Sequence, residues 1–301
     1  MDPIRLPERD AEPPQWRHGV LFGITLLTTL LAGTSLDSRY SDLGPLDLLS
    51  EVAGHPAALW AGVPFAFPLM FILLAHEMGH FLTARRYGIR ATWPYFLPGP
   101  PVFSLGTFGA FIRLKGAIPT RGTLMEVGAN GPLWGFAATA AVALAGFLSA
   151  RWGYHAPADL GADVNLPLGY WGLQALVLGD PRWTQTLFRN PILLAAWLGF
   201  FIQGLNLLPV GQLDGGHVLY AFARERHRWV STGVAAFLLV YAIFQPQWLV
   251  WAALVFIVLG LRHPPCLADD VPLEGKQVVL GGAALVMFVL CFMPSPFAGF
   301  N

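Results

Sequence analysis

The chain reads as an all-α polytopic membrane protein of about seven transmembrane helices, with a re-entrant β-hairpin segment near residues 100–118. Three observations carry that reading. Hydrophobic residues make up 55% of the 301 and charged residues only 12%, about half the charge fraction of soluble domains. Mean hydropathy is +0.54, and the apolar residues gather in runs of membrane-spanning length. Lys and Arg are also unevenly placed. With the N-terminus inside, all but Arg39, Arg151, Arg182 and Arg189 of the 18 fall inside, as the positive-inside rule expects.

Residues 1–16 are Pro-rich and charged, a mobile cytosolic tail. Span one covers His18 to Ser35. Its apolar centre is as short as a signal-peptide core, but no small-residue cleavage site follows cleanly, so it stays as a span. An acidic loop follows, with Asp37, Asp42, Asp47 and Glu51. Span two runs from Ala57 to Thr83. Pro94, Pro98, Pro100 and Pro101 then bar a helix. Residues 106–115 end in strand-like alternation, with Phe111, Arg113 and Lys115 against Ile112 and Leu114. That stretch is either an ordinary surface hairpin or a re-entrant strand with a free edge. Its place between two spans favours the second.

Span three is Val127 to Ala150. Residues 151–190 form a loop with a short amphipathic helix near Leu173 to Leu178. Span four is Pro191 to Leu208, span five Trp229 to Phe244, span six Trp248 to Leu261 and span seven Gln277 to Met293. Gln245-Pro246-Gln247 makes a tight turn between spans five and six. Residues 17–293 are therefore one membrane-embedded domain with a core at 57–220, followed by a short tail at 294–301. Cys266 and Cys291 show neither disulfide nor metal spacing. No basic cluster points to nucleic acid, so the expected surroundings are the lipid bilayer.

Span two ends in His76-Glu77-Met78-Gly79-His80, an H-E-x-x-H pattern. Chance gives roughly 0.005 such matches in a chain of this composition. Residues four apart on a helix point within about 40° of one another, so both imidazoles can reach one ion. Glu77 projects to the same side. Two histidine ligands with a carboxylate beside them suit a zinc ion and an activated water. Two polar residues capping a helix end would be the plain alternative, but ionisable residues in a span are costly and usually functional.

A catalytic zinc takes three protein ligands. The candidates are Glu126, Asp214, His217, His263, Asp269 and Asp270. Asp214 stands out because it ends a span on the same side as His80. Pro209 breaks the helix before it, and the glycines at 211, 215 and 216 let the backbone turn toward an ion. His217 is either a partner of the ligands or a helix-start histidine facing the cytosol.

His76 to His80 in one span and Asn206-x-x-Pro209-x-x-x-x-Asp214-Gly215 in a later one resemble the site-2 protease family of intramembrane zinc metalloproteases. Gly131-Pro132-x-x-Gly135 is similar to that family's intervening glycine motif. The resemblance covers about residues 57–220. It implies zinc on His76, His80 and Asp214, with Glu77 as general base. It implies that Asn206 holds the substrate or stabilises the oxyanion. The 106–115 stretch is similar to the family's re-entrant β-loop, which implies that Phe111, Ile112 and Arg113 meet the substrate. The substrate class implied is a transmembrane segment of a membrane-held protein. The implied location is the inner (cell) membrane of a bacterium, and the Lys and Arg bias puts the active site toward the cytosol. Many members carry a PDZ or CBS domain, and no segment here is long enough for either. A non-catalytic membrane metal-binding or transport protein is the competing class. The absence of an internal repeat and the intact Glu77 count against it.

Overall fold

The computed structural model describes residues 14–101, 105–152, 165–179, 190–245, 248–249 and 260–296. Most of these are helical. Helix α1 spans Trp16–Ser35 and α2 spans Pro45–Gly54. A 3-10 segment, Pro56–Gly62, runs directly into α3, Val63–Arg86. Four short strands follow: β1 Arg90–Ala91, β2 Tyr95–Pro98, β3 Thr107–Phe111 and β4 Leu114–Lys115. Then come α4 Arg121–Arg151, α5 Leu168–Leu178, α6 Pro191–Asn206, α7 Asp214–Phe244 and α8 Gly275–Cys291.

Among the described residues, four segments are long and apolar enough to cross a membrane: Trp16–Ser35, Pro56–Arg86, Arg121–Arg151 and Asp214–Phe244. Expected spans four and seven are apolar helices of 16 and 17 residues. At 1.5 Å per residue they are shorter than a hydrocarbon core of about 30 Å. Expected span six lies mostly outside the described residues, as does Pro246-Gln247 of the turn before it.

Helix α4 is the spine. It packs against α3, α6, α7, α5 and α8. Its start is set by Thr120, whose Oγ1 accepts from the Thr123 N–H at 3.1 Å, a cap that stabilises a helix by about 1 kcal/mol. That cap explains why the helix begins six residues before the expected span. The main core is apolar and fully buried. It joins Phe65, Leu69 and Ile72 of α3 to Ala143 and Phe147 of α4, Tyr170 of α5 and Leu193, Trp197 and Phe200 of α6.

Helix α7 corrects the expected start of span five. The helix begins at Asp214 and continues past Arg224, Arg226 and Arg228, bending at Ala223 (φ −140°, ψ 60°). Hydropathy marks where a helix enters an apolar layer, not where its hydrogen bonding begins. Asp214 itself is the first helical residue. The non-helical stretch is the preceding Leu207–Leu213, and the carboxylate sits where a helix dipole favours negative charge.

The strands form two nested antiparallel pairs, β1 with β4 and β2 with β3, the second with a register shift. Arg90 pairs Lys115 and Ala91 pairs Leu114. Further along, Tyr95 pairs Phe111 and Phe96 pairs Ala110. Strand β2 includes Pro98, in the stretch where the prolines bar a helix. Proline is tolerated there because Pro98 sits beside an irregularity at the strand end. The hairpin leans on α1: Phe22 meets Phe96 edge-on at 5.0 Å, and Thr28 Oγ1 donates to the Gly106 carbonyl at 2.6 Å.

Candidate metal centre

The two histidines of α3 and the first residue of α7 come together. His76 Nε2 lies 3.2 Å from Asp214 Oδ2, and His80 Nε2 lies 3.2 Å from Asp214 Oδ1. The two Nε2 atoms are 3.1 Å apart. Among the described residues this is the group of three positioned to hold a metal ion. His76, Glu77, His80 and Asp214 are only 4%, 6%, 8% and 9% exposed.

The opposite ring nitrogens decide what those Nε2 atoms are. His80 Nδ1 donates to the Val127 carbonyl at 2.7 Å. A carbonyl can only accept, so Nδ1 holds the proton and Nε2 of the neutral ring is a bare lone pair. His76 Nδ1 donates to Gln203 Oε1 at 2.9 Å, with the same result. Two lone pairs and a carboxylate thus face one another. Without a cation that arrangement is repulsive. With one it is a ligand set, and ligand atoms about 2.0–2.2 Å from a tetrahedral zinc lie roughly 3.3 Å from each other. Room for the His80 imidazole is left by a glycine. A Cβ on Gly131 of α4 would overlap His80 Nε2. The residues present therefore fit a zinc ion.

Glu77 points into the same buried region and interacts with both histidines and Asp214. The backbone of Ile112, in the strand region, also contributes to the electrostatics at this carboxylate. Ile112 follows β3, and the Arg113 carbonyl beside it accepts from Thr92 N–H at 3.0 Å. Arg113 is thus turned to the partner strand. Phe111, the exposed end of β3, stacks on Tyr95 at 5.3 Å.

The other candidates for a third ligand go elsewhere. Glu126 accepts from Gln277 Nε2 at 3.2 Å and lies 3.6 Å from Lys276 Nζ. Asp269 accepts from Tyr220 Oη at 2.9 Å and pairs with Arg224 at 3.6 Å. Asp270 lies 3.7 Å from the same guanidinium. His217 and His263 bond to each other at 2.7 Å.

Asn206 closes α6, half-buried, one turn beyond Gln203. Gln203, not Asn206, makes the contact with His76, and sequence reasoning passed over it. The available signal was a second polar residue three positions earlier in an otherwise apolar helix, which is costly unless used.

The model of "Peptidase family M50" matches residues 64–244. The chain belongs to that family. This is the site-2 protease family that the motifs resemble. An EGY2 protein of Arabidopsis thaliana, named a probable chloroplastic zinc metalloprotease, is 30% identical over 98% of this chain and 52% of its own length. EGY1 of the same plant, named likewise, is 30% identical over 78% of this chain and 43% of its own. Rip3 of Mycobacterium tuberculosis is 31% identical over 72% and 44%. The chain spans about half the length of the curated relatives it matches. No solved structure matches it. In this M50 chain the matched residues run from α3 to the end of α7 and so include His76, Glu77, His80 and Asp214.

Proposed function

We propose that the chain is an intramembrane zinc metalloprotease that cleaves peptide bonds within transmembrane segments of membrane-held substrates. The observation that carries this is the convergence of two bare imidazole nitrogens and a carboxylate between apolar helices, with a second carboxylate, Glu77, beside them. His76, His80 and Asp214 hold the ion. A zinc ion there supplies a Lewis acid and lowers the pKa of a water molecule toward ~7. Glu77 takes the proton from that water and passes it to the leaving amine. Asn206 and the 111–113 segment face the substrate.

A helical substrate hides its carbonyls in its own hydrogen bonds, so it must unwind before cleavage. Strand β3 is paired on one edge only among the described residues. Its other side leads to Glu77 through Ile112. An unwound segment that added to this edge would recover its backbone bonds and lie against the base.

The proposal extends to the surroundings. The chain forms one membrane-embedded domain of seven spans in a bacterial inner membrane, its N-terminus cytosolic. The charge bias of the sequence supports that orientation. Purified protein in liposomes with a model transmembrane substrate tests the activity. Cleavage that requires zinc and is lost in Glu77→Gln supports it. Zinc binding on the same residues with no cleavage of any membrane substrate that accumulates in a Glu77→Gln strain would favour a non-catalytic metal-binding protein.

A further inference from the structure

Gln203 is fully buried in α6, and its amide is used at one end only. Oε1 accepts the His76 Nδ1 proton at 2.9 Å. Nε2 is buried and has no hydrogen-bond partner. It lies against α4 at Gly135, where a Cβ would overlap it. The glycines at 131 and 135 of α4 thus open two neighbouring spaces, one beside His80 and one for this amide.

The two ends of the amide have opposite effects on His76. With oxygen toward Nδ1, the ring keeps its proton there and presents a lone pair to Asp214 and His80. With nitrogen toward Nδ1, the proton moves to Nε2 and the ring turns a donor into the ligand set. His80 has no such freedom, because its partner is the backbone carbonyl of Val127. The tautomer of one ligand therefore depends on a single side chain. An orphaned, buried Nε2 is unfavourable, and the fold accepts it in order to offer the oxygen.

We propose that Gln203 is the positioning residue for His76, holding it in the tautomer that binds metal, with Gly135 leaving the amide the room it occupies. This rests on the zinc site proposed above.

The test compares Gln203→Met, Gln203→Glu and Gly135→Ala in the full chain in detergent. Zinc affinity is measured by competition with a chelator. Cobalt-substituted protein gives a visible spectrum that reports the ligand field. Methionine keeps the shape and removes the acceptor, so zinc affinity should fall by roughly 10–100-fold and the cobalt spectrum should change. Glutamate can only accept, so it should bind zinc within about threefold of wild type or more tightly. Gly135→Ala should copy the methionine variant by displacing the amide. At saturating zinc, kcat should drop for Gln203→Met with KM unchanged.

Wild-type affinity and spectrum in Gln203→Met would overturn the inference. So would an equal loss in the methionine and glutamate variants, which marks a space-filling role. If Gln203→Met does not fold, a tenfold or greater weakening in Gln203→Glu overturns it. If His76→Ala binds zinc like wild type, the underlying site is wrong and the inference goes with it. A normal His76→Ala loss with an unaffected Gln203→Met removes the inference alone.

Discussion

Two histidine pairs, one buried and one half-buried, lie near each other and are built oppositely. His76 and His80 have ring centroids 4.8 Å apart at 73°, and His217 and His263 have theirs 4.9 Å apart at 88°. Ring geometry does not separate them. The far nitrogens do. His76 and His80 each give their proton away from the pair, to Gln203 and Val127. His263 gives its Nδ1 proton to the Pro264 carbonyl at 2.6 Å, so its Nε2 accepts from His217 Nδ1. One pair ends with two bare lone pairs facing a carboxylate. The other ends with a proton between its rings. A metal site is recognised here by where the opposite proton goes, more than by how close the imidazoles are.

The second pair belongs to a strap. Residues 260–274 bring the N-terminal end of α4 to α7. Leu267 and Ala268 donate to the Ile118 and Pro119 carbonyls at 2.9 Å each. Arg121 Nη2 donates to the Val271 carbonyl at 3.3 Å. Tyr220 stacks on His263 at 4.3 Å and bonds Asp269.

The largest effect that sharpens this contrast is on the base. Glu77→Gln keeps all three ligands, so zinc content should stay normal while cleavage falls by roughly 10²–10⁴-fold. Cleavage near the wild-type rate, or lost zinc, would remove Glu77 from its role. Next comes the space beside His80. Gly131→Ala places a methyl group on His80 Nε2, and zinc affinity should fall by at least tenfold while the helices remain folded by circular dichroism. Gly282, which has nothing within 4 Å of an added Cβ, is the control, and Gly282→Ala should change neither. Ile112→Pro removes a backbone donor from the segment proposed to meet the substrate. It should lower cleavage without altering zinc content, measured on the same preparations.

Much of this was legible in the sequence. The H-E-x-x-H pattern, the turn that presents Asp214 and the strand character of 106–115 all depend on local spacing, and local spacing survives folding. Three features were not. Gln203 matters only because α6 brings it against α3, 127 positions away from its partner. The β2 strand was hidden by prolines, since Pro98 takes its place through an irregular register rather than a regular ladder. The early start of α7 was hidden by its arginines, which are polar yet fully compatible with a helix.

The smallest expected effect is on the strap. Burial holds the His263 imidazole down to about 4, with His227 adding to the shift and the Pro264 carbonyl and Asp269 opposing it. An exposed imidazole titrates near 6.5. Between those values the unfolded loop binds more protons than the folded one, so strap stability is complete above about 6.5 and declines as pH falls toward 4. Hydrogen exchange at Leu267 and Ala268, corrected for intrinsic rate, should speed up over that range. In His263→Ala the exchange should be faster and flat across it.

The central claim is that one histidine pair holds metal and the other does not. The direct measurement is zinc per chain in two double variants purified side by side. His76→Ala with His80→Ala should fall from about one zinc per chain to background, while His217→Ala with His263→Ala should keep about one. Zinc retained in the first, or lost in a folded second, would contradict the account.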